Sequence, residues 1–179
     1  MKEGTFKFAK GPGPEYETVA TFGTMCLNAS LESIGKANDI CNRYGMDTIT
    51  CGSTIAFAME CFENGLINKE DTDGLNLTWG NSEAIVAMVE KIGKREGIGS
   101  ILSEGSAKAA EQIGGNARDF LTTVKGLEAP MHDPRGSHGH GLAYAVSARG
   151  ACHLASLVYS VEGGGMYLPE IPELADEIT

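Results

Sequence analysis

The chain has 179 residues, with 24 acidic against 14 basic side chains and a formal charge of −10. That balance disfavours nucleic acid as a partner, since no basic run exists to neutralise phosphates, and no apolar run reaches the ~18 residues of a membrane span. A hydrophobic content of 42% supplies a core, 21% charged residues is ordinary for a soluble protein, and the opening M-K-E-G-T-F-K-F lacks the apolar stretch of a signal peptide.

Residues 1–14 end in Gly11-Pro12-Gly13-Pro14, which reads as a rigid turn. Glu15-Tyr16-Glu17-Thr18 follows at the mouth of an apolar segment, V-A-T-F-G-T-M-C-L. Carboxylates there can simply serve the positive end of a helix, yet a Glu beside a Gly-Pro turn is also well placed to face a cavity. The next helix is predicted to start with Ser30 as N-cap and Glu32 in its first turn. Its expected buried face is Leu31, Ile34, Ala37, Asn38 and Cys41, and its end is a left-handed cap at Gly45. Asp47 or Thr48 is expected to cap a third helix that runs to Gly65. Being apolar nearly all round, that helix is read as central, and Glu60 within it needs a partner or a water.

Residues 66–81 read as a connection. Its D-x-D-G resembles the start of a calcium loop, but the oxygen ligands beyond Gly74 are missing. Ser82 and Glu83 are expected to open a helix with an inner stripe of Ile85, Met88, Val89 and Ile92, ended by Gly97. Ser103–Ile113 reads as a shorter helix. F-L-T-T-V-K-G-L-E-A-P is the one segment with much strand character, and nothing alternates long enough to build a sheet of its own. The fold class predicted is all-α and multihelical, with six or seven helices.

All four histidines (His132, His138, His140 and His153) fall within Met131–Leu154, together with two arginines and four glycines. L-A-Y-A-V-S-A is read as a tightly packed, buried helix carrying Arg149 and His153 along the wall of a site. His138-x-His140 can chelate a metal but lacks a third ligand at fixed spacing, so no metal ligand is assigned. The five cysteines, never closer than ten residues apart, are read as reduced, buried thiols in a cytoplasmic protein. After His153 the chain offers no terminal element to bury the preceding segment and reads as cut from a longer one.

Five motifs occur in order over residues 13–154: G-P-E-Y-E-T, C-N-R-Y-G-M-D-T-I, I-A-F-A-M-E-C-F-E-N-G-L-I, D-x-D-G-L-x-L-x-W-G-N, and D-P-R-G…G-H-G-L-A-Y-A…R-G-A-C-H-L. Together they resemble the tungsten-containing aldehyde:ferredoxin oxidoreductase family. The resemblance implies a bis-pterin tungsten (or molybdenum) cofactor, that is tungstopterin or molybdopterin, beside a [4Fe–4S] cluster. It also implies a small aldehyde oxidised to a carboxylic acid, ferredoxin as electron acceptor, and further domains of the same enzyme, with a homo-oligomer compatible. Relatives similar to this family also reduce aromatic-ring thioesters. Residues 1 to about 125 would belong to the middle domain and about 126–179 to the start of the last.

Carried over residue by residue, Glu17 and His153 fall on positions proposed to flank the substrate, and Tyr16 on the neighbouring aromatic position. The pterin motif D-x-x-G-L-D/C matches Asn42-Arg43-Tyr44-Gly45-Met46-Asp47. Asn42 replaces the Asp and Met46 the Leu, so the contact at residue 42 becomes an amide. The cluster motif C-x-x-C-x-x-x-C would lie before residue 1 and the second pterin motif after Thr179. Chemically, Glu17 would accept a proton from a water or hydrated aldehyde, and His153 would hydrogen-bond the carbonyl oxygen. The competing expectation is a non-catalytic helical binding or assembly module.

Overall fold

A computed structural model describes residues 4–7 and 11–162. The expectation about the tail beyond residue 162 lies outside the described residues. Two compact units divide the chain, residues 1–122 and 123–179.

The first unit is helical throughout. A short helix α1, Tyr16–Val19, passes directly into a π-helix, Ala20–Thr24. Helix α2, Leu31–Tyr44, starts where predicted: Ser30 Oγ accepts from the Ser33 N–H (3.2 Å), and Gly45 closes the helix in the left-handed conformation. A cap of this kind contributes about 1 kcal/mol. Asp47 caps α3, Thr48–Glu63, by accepting from the Thr50 N–H at 2.7 Å. Every side chain from Cys51 to Met59 is buried, as expected of a central helix, and Glu60 at its far end is half-buried. Helices α4 (Ser82–Lys94), α5 (Ile98–Leu102) and α6 (Ser106–Ile113) complete the layer, with a 3₁₀ turn at Ala117–Phe120. Ile85, Met88, Val89 and Ile92 form the inner stripe of α4 and join Phe22, Ile55, Met59 and Leu77 in one core.

Several expectations are corrected. Leu31 is 64% exposed, because it stands in the first turn of α2, where periodicity continues but the covering neighbours do not. Helix α4 does open at Ser82 with Glu83 in its first turn, and Asn81 caps it by accepting from the Ala84 N–H. Helix α4 ends at Lys94 with Arg95 left-handed, and its guanidinium reaches Glu104 (2.7 Å); Gly97 instead precedes α5. The helix read from Ser103 starts at Ser106, after Gly105, and a separate short helix, α5, precedes it in a segment read as having none. The D-x-D-G acids have local duties: Asp71 accepts from the Asn68 N–H and Asp73 pairs with Lys91 (2.9 Å).

The second unit opens with a hairpin of strands β1 (Thr123–Val124) and β2 (Leu127–Glu128), paired Val124 with Leu127. Lys125 and Gly126 both have positive φ, as a two-residue hairpin turn requires. Helix α7, His138–Val146, follows, and α8, Val158–Glu162, returns to it. Glu162 caps α7: its carboxylate accepts from the Ser137 hydroxyl and from the Gly139 N–H (2.8 Å). Contrary to expectation, α7 ends before Arg149 and His153 and is only partly buried, with Leu142 and Val146 65% and 68% exposed. Its Leu142 and Val146 are one turn apart, so they form a single open stripe. Among the described residues, helix dominates and the strands number two of two residues each. None of these helices is long and apolar enough to cross a membrane.

Candidate active site

Glu17, in α1, is a buried acid, 4% exposed, while Tyr16 beside it is 59% exposed. The contrast follows from the local helix. Thr21 Oγ donates to the Glu17 carbonyl, Thr18 and Thr48 share a hydrogen bond of 2.9 Å, and the π-helical bond from the Met25 N–H to Ala20 O (2.9 Å) widens the turn. The Thr18–Thr48 bond ties α1 to the first residue of α3. Thr18 follows Glu17 and Thr48 follows Asp47, so within this unit the bond brings the chain at Glu17 to the chain at Asp47.

At that corner Asn42 and Asp47 are exposed and Met46 is half-buried against the core. Asn42 Nδ2 donates to Asn38 O (2.9 Å) and Asn38 Oδ1 (3.2 Å), and one Asp47 oxygen is used on Thr50. Asn38 in turn donates to Pro12 O (3.1 Å), which fastens the Gly-Pro loop ahead of Glu17 onto α2. Asp39, buried at 7%, is neutralised by Arg43 (3.0 Å) and Lys36 (3.9 Å).

His153 belongs to the second unit and sits in the loop after α7, half-buried. Gly150 fixes that loop. Its φ is +104°, and a Cβ there would fall 2.3 Å from Val124 O, so the chain can lie on the hairpin only with glycine at this position. Lys125 Nζ adds a bond to Ser147 O (2.7 Å), and Ala151 and Cys152 are buried behind it. The His153 ring is 5.1 Å from that of His132, which stacks at 5.6 Å on buried His140; His140 lies 4.7 Å from Tyr144. Tyr144 Oη donates to His132 O (3.1 Å), closing the column on itself. The sequence singled out the histidine-rich stretch but not this column; the i, i+4 pair His140 and Tyr144 on α7 was the available signal. His138, two residues from His140 on α7, leaves on another side and is exposed.

The cysteines are buried free thiols, as read from the sequence. Burial pushes the Cys26 thiol up to about 12, and Cys51 is raised by its hydrogen bond with Cys41 and by burial, so neither is a nucleophile at neutral pH.

The chain belongs to the aldehyde ferredoxin oxidoreductase family: the family description "Aldehyde ferredoxin oxidoreductase, domains 2 & 3" matches residues 1–178. It is 46% identical over 151 residues to the tungsten-containing aldehyde ferredoxin oxidoreductase of Pyrococcus furiosus, covering 84% of this chain and 25% of that protein. Against the Pyrococcus abyssi enzyme of the same name, identity is 43% over 169 residues, 92% of this chain and 28% of that one. Among solved structures it is similar to the active site complex BamBC of benzoyl coenzyme A reductase in complex with 1,5 dienoyl-CoA. That likeness has a TM-score of 0.64 and 27% identity over 76% of this chain and 21% of the other. The chain thus spans about a quarter of the length of the curated relatives it matches.

Proposed function

We propose that the chain forms the substrate-side helical wall of a tungsten (or molybdenum) bis-pterin oxidoreductase that converts aldehydes to carboxylic acids and passes electrons to ferredoxin. The observation that carries this reading is Glu17, a carboxylate held 4% exposed at the position the family resemblance marks for substrate. A buried acid is costly to keep unless it is paired or hydrogen-bonded, and perturbed, enclosed acids of this kind cluster at functional sites. In this reading residues 1 to about 125 belong to the middle domain and 126–179 open the last.

The Asn42–Asp47 corner fits a pterin edge, which presents N–H donors. Asn42 Oδ1 and the second Asp47 oxygen are acceptors on exposed side chains, whereas the Asn42 amide donors are engaged by Asn38. Met46 packs against the core, so any hold at that position comes from its backbone carbonyl, its N–H being used by Cys41 O (2.9 Å). When bound, the tungstopterin supplies the two-electron acceptor, and a [4Fe–4S] cluster carries the electrons onward.

The protein's own part is protonic. A Glu17 carboxylate oxygen takes the proton of a water or aldehyde-hydrate hydroxyl as the carbon is oxidised. The His153 ring donates a hydrogen bond to the carbonyl oxygen, and Tyr16 flanks the entering substrate. One hydrated aldehyde loses two electrons and two protons to give one carboxylic acid. The test is a stoichiometric assay of the cofactor-loaded enzyme with a small aldehyde, following ferredoxin reduction and acid formed. One acid per two electrons supports the reading; full cofactor loading without aldehyde-dependent reduction contradicts it and favours a non-catalytic helical module.

A further inference from the structure

Glu17 and Cys26 are both buried, at 4% and 0%, although nine residues separate them. Nine residues are about two and a half turns of a regular α-helix, which would point the two side chains to opposite sides. The π-helix Ala20–Thr24 removes that conflict. Met25 N–H donates to Ala20 O and Asn28 N–H to Gly23 O, both at 2.9 Å and both spanning five residues. Each such bond encloses one residue more than an α-helical bond and rotates the helix ahead of the turn relative to the chain after it. Ahead of that turn, Tyr16 is exposed and Glu17 is buried.

A wide turn is less well bonded than an α-turn and has to be held in place. Thr21 Oγ donates to the Glu17 carbonyl, and Cys26 Sγ donates to Thr21 O at 3.4 Å. From the other side α3 presses against the turn at Gly52. A Cβ at Gly52 would lie 2.3 Å from Thr21 Cγ2, 3.0 Å from Thr21 Cβ and 3.3 Å from Phe22 Cδ1. Thr21 cannot swing aside, because its branched side chain has few rotamers and its hydroxyl is engaged on Glu17. A methyl group at position 52 therefore has to push the π-helical turn off α3, and the Glu17 carbonyl travels with Thr21.

We propose that Gly52 and Thr21 are positioning residues for Glu17, seating the π-helical turn that directly follows its helix and so fixing where its buried carboxylate stands. The proposal rests on Glu17 as proton acceptor, and neither Gly52 nor Thr21 itself touches the reacting atoms.

The test uses the cofactor-loaded enzyme and two readouts: steady-state aldehyde oxidation, and labelling of Glu17 by a water-soluble carbodiimide with a small amine, followed by peptide mass spectrometry. Gly52→Ala is expected to keep cofactor content and helical circular dichroism, lower kcat by roughly tenfold to 10²-fold with a smaller change in KM, and speed the labelling of Glu17. Adding Thr21→Ser, which removes the clashing Cγ2 and keeps the hydroxyl, should restore part of both. If Gly52→Ala fails to fold, Thr21→Val decides, since it keeps the shape and loses the bond to Glu17. Loss of turnover with faster labelling supports the proposal, and unchanged values for both overturn it. Glu17→Gln separates the two claims. An inactive Glu17→Gln beside a fully active Gly52→Ala overturns the positioning role alone. A fully active Glu17→Gln overturns the proton-acceptor reading, and labelling then decides whether Gly52 seats the turn.

Discussion

Glu17 and Thr18 are consecutive and buried, and their neighbours give them different work: Thr18 bonds Thr48 and joins two helices, while Glu17 keeps its carboxylate inside. At this scale the cheapest test concerns Asp47, which serves α3 as its cap and is also a proposed pterin contact. Asp47→Ala should destabilise the first unit by about 1 kcal/mol in urea denaturation of the chain. Asp47→Asn, which can still cap, should cost only a few tenths and leave any additional cofactor loss as a separate signal. No change in the midpoint for the alanine variant would contradict the capping role. Caps of this kind were legible in the sequence, as at Ser30, Gly45 and Asp47, because they depend on chemistry within four residues. The burial of Glu17 against the exposure of Tyr16 was not legible, since it depends on a helix register that composition does not encode.

Helix α7 shows how an element can hang on one distant acid. Glu162 on α8 accepts from Ser137 and Gly139, and those bonds hold its carboxyl below the usual glutamate range. A carboxyl depressed in the folded state contributes stability that is present above its unfolded value and lost as pH falls through the folded one. The Gly139 amide should therefore stay protected from hydrogen exchange at neutral pH and lose protection in the acid range below the ordinary glutamate value. Glu162→Gln should flatten that dependence, and identical profiles in the two proteins would contradict the cap. The sequence located α7 but not its end. L-A-Y-A-V-S-A carries no breaker, and the turn at Ser147 is imposed by Gly150 and Lys125 meeting the hairpin, contacts more than twenty residues apart. Helix α5 escaped for the opposite reason: at five residues it is too short to show a periodicity, and the late start of α6 follows from Gly105, whose positive φ keeps S-E-G out of the helix.

At the scale of the whole molecule, the absence of long alternating segments made the all-α class readable, and the described residues bear it out with two strands of two residues. Circular dichroism of the chain should report mostly helix, with strand well below a quarter of the residues; a sheet-dominated spectrum would contradict the fold. The family was readable because its motifs sit at helix corners and loops, where a residue type has one local job and leaves a pattern. The same motifs say that the cluster cysteines of the resemblance, C-x-x-C-x-x-x-C, are not among these 179 residues. Elemental analysis of this chain purified alone should accordingly find tungsten, molybdenum and iron below one equivalent. A stoichiometric four-iron cluster would contradict that assignment.

The central claim is that Glu17 and His153 serve one transition state. In the cofactor-loaded enzyme, Glu17→Gln and His153→Ala should each lower turnover on the order of 10²-fold or more with the cofactor retained. The measurement that tests the claim most directly is the double-mutant cycle of kcat/KM with a small aldehyde. The account predicts that the combined loss is clearly smaller than the product of the two single losses. Two losses that multiply, or a Glu17→Gln enzyme with full turnover, would contradict it.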